Sequence, residues 1–183
     1  MIVFKDELRR QLTQARRALS PQVKRRYDDA ISAHLNAEIT PEMRVAAYMP
    51  LPSEPLTTDF ITSLPCEVLL PICGDDGLLT WSLFDGTFRP GPFGIREPAG
   101  PLVDDPALAT CDLIIVPALA VRRDGIRLGK GAGYYDRALA EVPEVPTTAV
   151  VYSSEVRDDL PAEPHDIPVN SVVTEQGTFS TSV

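Results

Sequence analysis

The chain has 183 residues, 44% of them hydrophobic, which is enough to bury a core and short enough that one domain spanning 1–183 is expected. With 17 Lys and Arg against 26 Asp and Glu, the formal charge of -9 repels polyanions at long range and argues against nucleic acid or an anionic membrane surface as a partner. Charges at Lys5-Asp6-Glu7 argue against a secretory leader, and Leu113–Val121, the longest apolar run, is broken by Pro117 and falls short of the ~20 residues of a membrane-spanning helix. Cys66, Cys73 and Cys111 form no CxxC pair and are odd in number, so neither a disulfide framework nor a zinc site is expected. A cytoplasmic monomer is the expectation.

Phe4–Leu19 sets Leu8, Leu12, Ala15 and Leu19 at helical spacing, and Ser20-Pro21 supplies an N-cap and first-turn proline for a second helix to about Ala37, with Val23, Tyr27, Ile31 and Leu35 inward. These helices carry eight of the cations: Lys5, Arg9, Arg10, Arg16, Arg17, Lys24, Arg25 and Arg26. Val45–Met49 reads as a strand, Pro50–Pro55 as a proline-rich loop, Thr58–Leu64 as a short capped helix and Val68–Ile72 as a buried strand. Asp75-Asp76-Gly77 predicts a hairpin into Leu79–Phe84, and Asp85–Pro106, rich in Gly and Pro, reads as a long surface connection. Leu113–Val116 predicts a central strand, Gly133–Ala140 a helix, Thr147–Tyr152 another buried strand and Ser171–Thr174 a last one. Strand, loop, helix and strand in that order predict an α/β fold with a parallel sheet.

Between the central strand and the helix lies Arg127-Leu128-Gly129-Lys130-Gly131-Ala132-Gly133-Tyr134-Tyr135-Asp136-Arg137. Alternating glycines let main-chain N–H groups approach an anion, a helix N-terminus adds its dipole, and Lys130 with two arginines supplies charge. Asp136 suits a bridging Mg2+ rather than phosphate itself. The spacing matches neither the Walker A loop nor the dinucleotide fingerprint. From composition alone, a glycine-rich turn with solvated charges remains the alternative. Tyr134 and Tyr135, about 100° apart on a helix, allow one to line a site while the other packs into the core.

The loop resembles the signature of the 5-formyltetrahydrofolate cyclo-ligases, and other segments agree in order: Lys5-x-x-Leu8-Arg9, Tyr48 followed by Glu54, Phe93-Gly94-Ile95-x-Glu97-Pro98, Val116-Pro117-Ala118, and His165-Asp166 before Thr174. The resemblance implies a three-layer α/β/α sandwich with a mostly parallel central sheet, similar to sugar-phosphate isomerases and CoA transferases. It implies ATP as co-substrate, held by Lys5, Arg9, Arg127, Leu128, Gly129, Lys130, Gly131, Ala132, Gly133, Tyr134 and Tyr135. It further implies Mg2+ on Asp136 and Asp166, and folate contacts from Met49, Glu54 and Tyr134. Lys130 and Arg127 are the expected catalytic cations. No Ser-His-Asp or Cys-His arrangement is needed, because the substrate's formyl oxygen is itself the nucleophile. An isomerase and a catalytically silent folate- or nucleotide-binding module are the other readings.

Overall fold

The computed structural model describes residues 2–182. Helix α1 (Ile2–Arg17) and helix α2 (Pro21–Glu38) open the chain, the second started by Pro21 behind the Ser20 cap, whose hydroxyl accepts from the Val23 N–H. Strand β1 (Arg44–Ala46), helix α3 (Thr58–Thr62), and strands β2 (Glu67–Cys73) and β3 (Leu79–Leu83) follow. The stretch expected to be a plain connection contains a hairpin of β4 (Phe88–Pro90) and β5 (Arg96–Pro98), then β6 (Leu102–Val103). Its prolines sit where a ladder hydrogen bond can be spared, at the ends of short paired segments, which is why periodicity did not mark it. Strand β7 (Leu113–Pro117) leads into a second hairpin, β8 (Ala120–Val121) with β9 (Arg127–Leu128), then helix α4 (Tyr134–Ala140), strand β10 (Thr147–Val150), strand β11 (Ser171–Thr174) and strand β12 (Gly177–Ser180).

Eight strands form one sheet in the order β12-β11-β10-β7-β1-β2-β3-β6. The central run from β11 to β2 is parallel, and the three outer pairings are antiparallel. Central strands are apolar on both faces, as burial beneath two helical layers requires. Ala46, Leu69, Ile114, Val116, Ala149 and Val172 face the layer holding Leu139 of α4. Their neighbours Val45, Val68, Leu70, Ile115, Val150 and Val173 face Ile31 and Leu35 of α2 and Phe60 and Ile61 of α3. The period-two alternation along each strand thus produces the α/β/α layering.

Helix α1 joins a separate small cluster, with Leu8 and Leu12 packed among Leu119, Ala120, Leu128 and Leu160. Of the expected Leu8, Leu12, Ala15, Leu19 stripe, only Leu8 and Leu12 form the inner face. Ala15 is exposed and Leu19 half-buried, while Lys5 and Arg16 are buried. The helix is rolled toward its cations because their aliphatic stems pack on the cluster while their heads find carboxylates: Lys5 finds Glu163, and Arg16 finds Glu155. Likewise, Val23 and Tyr27 of α2 are only half-buried. Among the described residues no helix is long and apolar enough to cross a membrane.

Candidate active site

From β1 the chain proceeds to β2 on one side of the sheet, while β7 lies on the other side of β1, so strand order reverses between β1 and β7. Open α/β sheets bind ligands outside the carboxyl ends of their strands at such a reversal. The loop leaving β1 carries Glu54, and the connection from β7 to α4 carries Lys130, just past the β8–β9 hairpin. The two meet in an ion pair, Lys130 Nζ to Glu54 Oε1, at 2.6 Å. Glu54 is 8% exposed at its side chain and Lys130 is 54% exposed, so the pair runs from the wall of the crevice into its open part. Arg9, Arg10, Arg16 and Arg17 of α1 complete a cleft of about 620 Å³ with these two residues.

The glycine loop leans on α1. Arg9 donates from Nε to the Gly129 carbonyl at 2.9 Å, and a side chain at Gly131 would place its Cβ 3.3 Å from the Arg9 guanidinium carbon. Gly131 and Gly133 have φ of 108° and 72°, so the loop's alternating glycines answer both a close approach and a left-handed backbone. Helix α4 has only 7 residues, which leaves the anion-holding capacity to the loop and its cations rather than to the expected helix dipole. Leu128 is buried in the cluster with Leu8 and Leu12, so its side chain belongs to the α1 core and only its main chain can face the loop's open side. Ala132 is exposed.

The other expected cations are already matched to carboxylates. Lys5 lies 2.6 Å from Glu163 Oε2 and 3.7 Å from Asp166 Oδ2. Its hydrogen bond, then its charge, hold the Glu163 carboxyl below the usual range. Arg127, 4% exposed at its side chain, donates from Nη2 to Asp136 Oδ1 at 2.9 Å and leaves Nε buried without a partner. Burial pulls its pKa down and Asp136 opposes that. Arg127 is therefore a buried partner of Asp136 and does not line the open cleft.

The two expected metal ligands share a neighbourhood: Asp136 Oδ1 also accepts the N–H of Ile167, the residue after Asp166, at 3.3 Å. The tight donor cluster, however, is Glu163, His165 and Asp166, whose candidate ligand atoms lie within 4.8 Å of one another without Asp136. Glu163 escaped sequence reasoning because a lone acid between prolines carries no spacing signal. Arg16 escaped too, as one of many helical cations. It donates to both oxygens of Glu155 and to the Ala118 carbonyl, tying α1 to the Val116-Pro117-Ala118 segment and to the loop after β10.

The tyrosines divide as their angular separation demands. Tyr134 donates to the Gly74 carbonyl at 3.1 Å, reaching the β2–β3 hairpin. Tyr135 meets the Trp81 ring edge-on, its hydroxyl is buried without a partner, and burial pushes its phenol pKa up. Met49 is half-buried and packs on the α2 side of the core, so packing accounts for it. Glu97 of the Phe93–Pro98 motif pairs with Arg89 across the β4–β5 hairpin; the side chain of Phe93 lies outside the described residues.

The sequence model of the 5-formyltetrahydrofolate cyclo-ligase family matches residues 2–175. A protein named 5-formyltetrahydrofolate cyclo-ligase from Mycolicibacterium smegmatis is 38% identical over 93% of both chains, and one from Mycoplasma pneumoniae is 26% identical over 94% of this chain and 99% of that one. The solved 5,10-methenyltetrahydrofolate synthetase of Aquifex aeolicus superposes with a TM-score of 0.82 at 31% identity, over 96% of this chain and 92% of that chain.

Proposed function

The chain belongs to the 5-formyltetrahydrofolate cyclo-ligase family, and on that premise we propose that it cyclises 5-formyltetrahydrofolate to 5,10-methenyltetrahydrofolate in one-carbon metabolism, using Mg2+ and ATP and releasing ADP and phosphate. The observation that carries the proposal is the Lys130–Glu54 contact, which brings a cationic glycine loop and a buried acceptor together at the β1/β7 reversal. One loop suits a terminal phosphate and the other suits pterin N–H groups, so both substrates would meet where their loops meet.

The substrate's formyl oxygen attacks the γ-phosphorus as the bond from phosphorus to the β–γ bridging oxygen breaks, giving ADP and a phosphorylated imidate. N10 then adds to the formyl carbon, the carbon–oxygen bond to phosphate breaks, and the N10 proton is lost to solvent. The chain contributes alignment and charge neutralisation, and clamps of this kind are worth about 10³–10⁵ in rate. Lys130 would swing from Glu54 onto the γ-phosphate, with Arg9 and the main-chain N–H groups of Gly129–Gly133 around the phosphate chain. Lys5 would reach the phosphates from its position beside Glu163. Glu54, freed from Lys130, would accept the pterin N–H groups, and Tyr134 would close the folate side.

The donor set fits Mg2+. Asp136 accepts from Arg127 and Ile167 through Oδ1, leaving Oδ2 lone pairs, and Asp166 accepts the Glu163 N–H through Oδ2, leaving Oδ1. These are hard oxygens of the kind a small divalent cation takes together with phosphates and water. When bound there, the ion would supply positive charge to offset that of the phosphates.

Purified protein mixed with Mg-ATP and 5-formyltetrahydrofolate should develop the near-ultraviolet absorbance of the methenyl product. No absorbance change from folded protein, with ATP and substrate at millimolar levels, overturns the proposal.

A further inference from the structure

Asp28, in the middle of α2, is buried although it is charged. Its Oδ1 accepts the Leu56 N–H at 3.0 Å and the Tyr152 hydroxyl at 2.9 Å, and its Oδ2 pairs with Lys24 one turn earlier. Lys24 in turn donates to the Glu54 carbonyl at 2.8 Å. The loop from Leu51 to Leu56 is therefore gripped through its backbone at Glu54 and at Leu56, and the Tyr48 hydroxyl adds a bond to the Pro55 carbonyl between them at 3.0 Å. Glu54 bends back on the same loop, accepting the Leu51 N–H at 2.7 Å.

Leu56 adds a second, independent observation. It is buried and has a φ of 72°, a left-handed conformation that a non-glycine residue holds only when its surroundings dictate it. Its N–H is the group Asp28 receives. A carboxylate is seldom buried for stability alone, since an apolar residue of similar size does as well or better. Here it fixes a strained turn that has no regular secondary structure to hold it.

We propose that Asp28, itself held by Tyr152, is a positioning residue for the folate side of the site, fixing the Glu54 carboxylate through Leu56 and Lys24 without touching either substrate. This rests on the proposed function, in which Glu54 accepts from the pterin. The nucleotide loop at Arg127–Asp136 has no hydrogen bond to Asp28 and is linked to it only through the Lys130–Glu54 pair, which opens in the proposed reaction, so the effect falls mainly on the folate side.

Steady-state kinetics of Asp28→Ala should show KM for 5-formyltetrahydrofolate rising about tenfold or more, as loss of buried hydrogen bonds implies, with KM for Mg-ATP changed less than about twofold. Asp28→Asn keeps an acceptor for Leu56 and Tyr152 and loses only the Lys24 pair, so it should recover most of that loss. Lys24→Met should raise the folate KM by about threefold, between the parent and Asp28→Ala. In hydrogen exchange, Asp28→Ala should lose protection at the Leu51–Leu56 amides and retain it at the Leu128–Arg137 amides. A folate KM within twofold of the parent, an equal rise in both KM values, or a fall in kcat alone each overturns the inference. If Asp28→Ala does not fold, Lys24→Met decides the question in the same way. An inactive parent refutes the proposed reaction, while the exchange pattern still tests the grip of Asp28 on the loop.

Discussion

Replacing Asp136 by alanine should damage the fold before it affects any metal. Its carboxylate is the hydrogen-bond partner of Arg127, whose side chain is 4% exposed and already leaves Nε unsatisfied. Removing one member of a buried ion pair costs about 3–5 kcal/mol because the other charge is stranded. Asp136 is itself 22% exposed, and water can enter the vacated space, so the lower end applies. For a chain of this length each kcal/mol moves Tm by about 2–4 °C, which gives a drop of about 6–12 °C for Asp136→Ala. Circular dichroism melts of four proteins test the reasoning: parent, Asp136→Ala, Arg127→Met and the double variant. Removing both charges should recover at least half of the loss seen in Asp136→Ala, since the stranded guanidinium is then gone. An Asp136→Ala Tm within about 2 °C of the parent, or a double variant no more stable than Asp136→Ala, refutes the stranded-charge argument. Any metal-dependence experiment at this position should therefore use Asp136→Asn, which retains an oxygen for Arg127 and Ile167. On the proposed reaction that variant needs more Mg2+ for half-maximal rate, and an unchanged titration would remove Asp136 from the metal site.

Lys130→Ala should lower turnover about a hundredfold through loss of transition-state charge stabilisation, while a melt places its Tm within a few degrees of the parent, because the ammonium is half-exposed; near-normal turnover would refute the role. Gly131→Ala should weaken nucleotide binding in calorimetry, because a methyl group at φ 108° presses on Arg9; unchanged affinity would show that the loop does not need this conformation. Lys5 lowers the Glu163 pKa, so the pair's contribution is complete above the unfolded carboxyl value of about 4.3 and is lost as pH falls through the depressed folded value. Glu163→Gln should accordingly destabilise at neutral pH and progressively less below about pH 4 in urea titrations; a deficit that grows as pH falls below about 4 would contradict that sign. Burial pushes the Cys111 thiol up to about 11, so iodoacetamide at neutral pH should label exposed Cys73 well before Cys111 in the native protein, as read by mass spectrometry.

The β-strands of the centre were legible because burial on both faces leaves uninterrupted apolar runs: Ser171–Thr174 matches in full, and Leu113–Val116 differs by one residue. The Asp75-Asp76-Gly77 turn was legible because Gly77 takes φ 80° and Asp76 accepts the Leu78 N–H. Strand β1 was overread by three residues, since Ala47–Met49 is equally apolar but leaves the ladder to start the site loop. The β4–β5 and β8–β9 hairpins were missed because pairs of two or three residues have no period to detect. In the site, residue types and order pointed to the right loops, but pairing did not follow from them. Nothing in the sequence joins Arg127 to Asp136 rather than to a phosphate, or Lys5 to Glu163. Such choices depend on which charges the fold buries together, and Asp28 looked like any other acid on an amphipathic helix.

A net charge of -9 and a cleft walled mainly by cations are compatible because they act over different distances. At physiological ionic strength a charge is screened over about 8 Å, so the potential inside a cleft is set by its own walls and hardly by acids on the far side of the molecule. The cleft between α1 and the two loops is walled by Arg9, Arg10, Arg16, Arg17 and Lys130 against the single carboxylate of Glu54. Of those cations Arg16 is committed to Glu155 and Lys130 to Glu54, which leaves Arg9, Arg10 and Arg17 to set the sign of the field at the mouth. Arg9 and Arg10 are themselves paired with Asp6 and Glu7, but those acids are partly exposed and near the helix start, where water weakens them. The overall acidity thus repels long polyanions that would have to lie across the surface, while a small anion entering the cleft meets mainly α1. Setting Lys5 and Arg16 inward beside Leu8 and Leu12, in place of Ala15, is what leaves Arg9, Arg10 and Arg17 to wall the crevice. The packing choice that the apolar stripe failed to foretell is therefore the one that gives the cleft its charge.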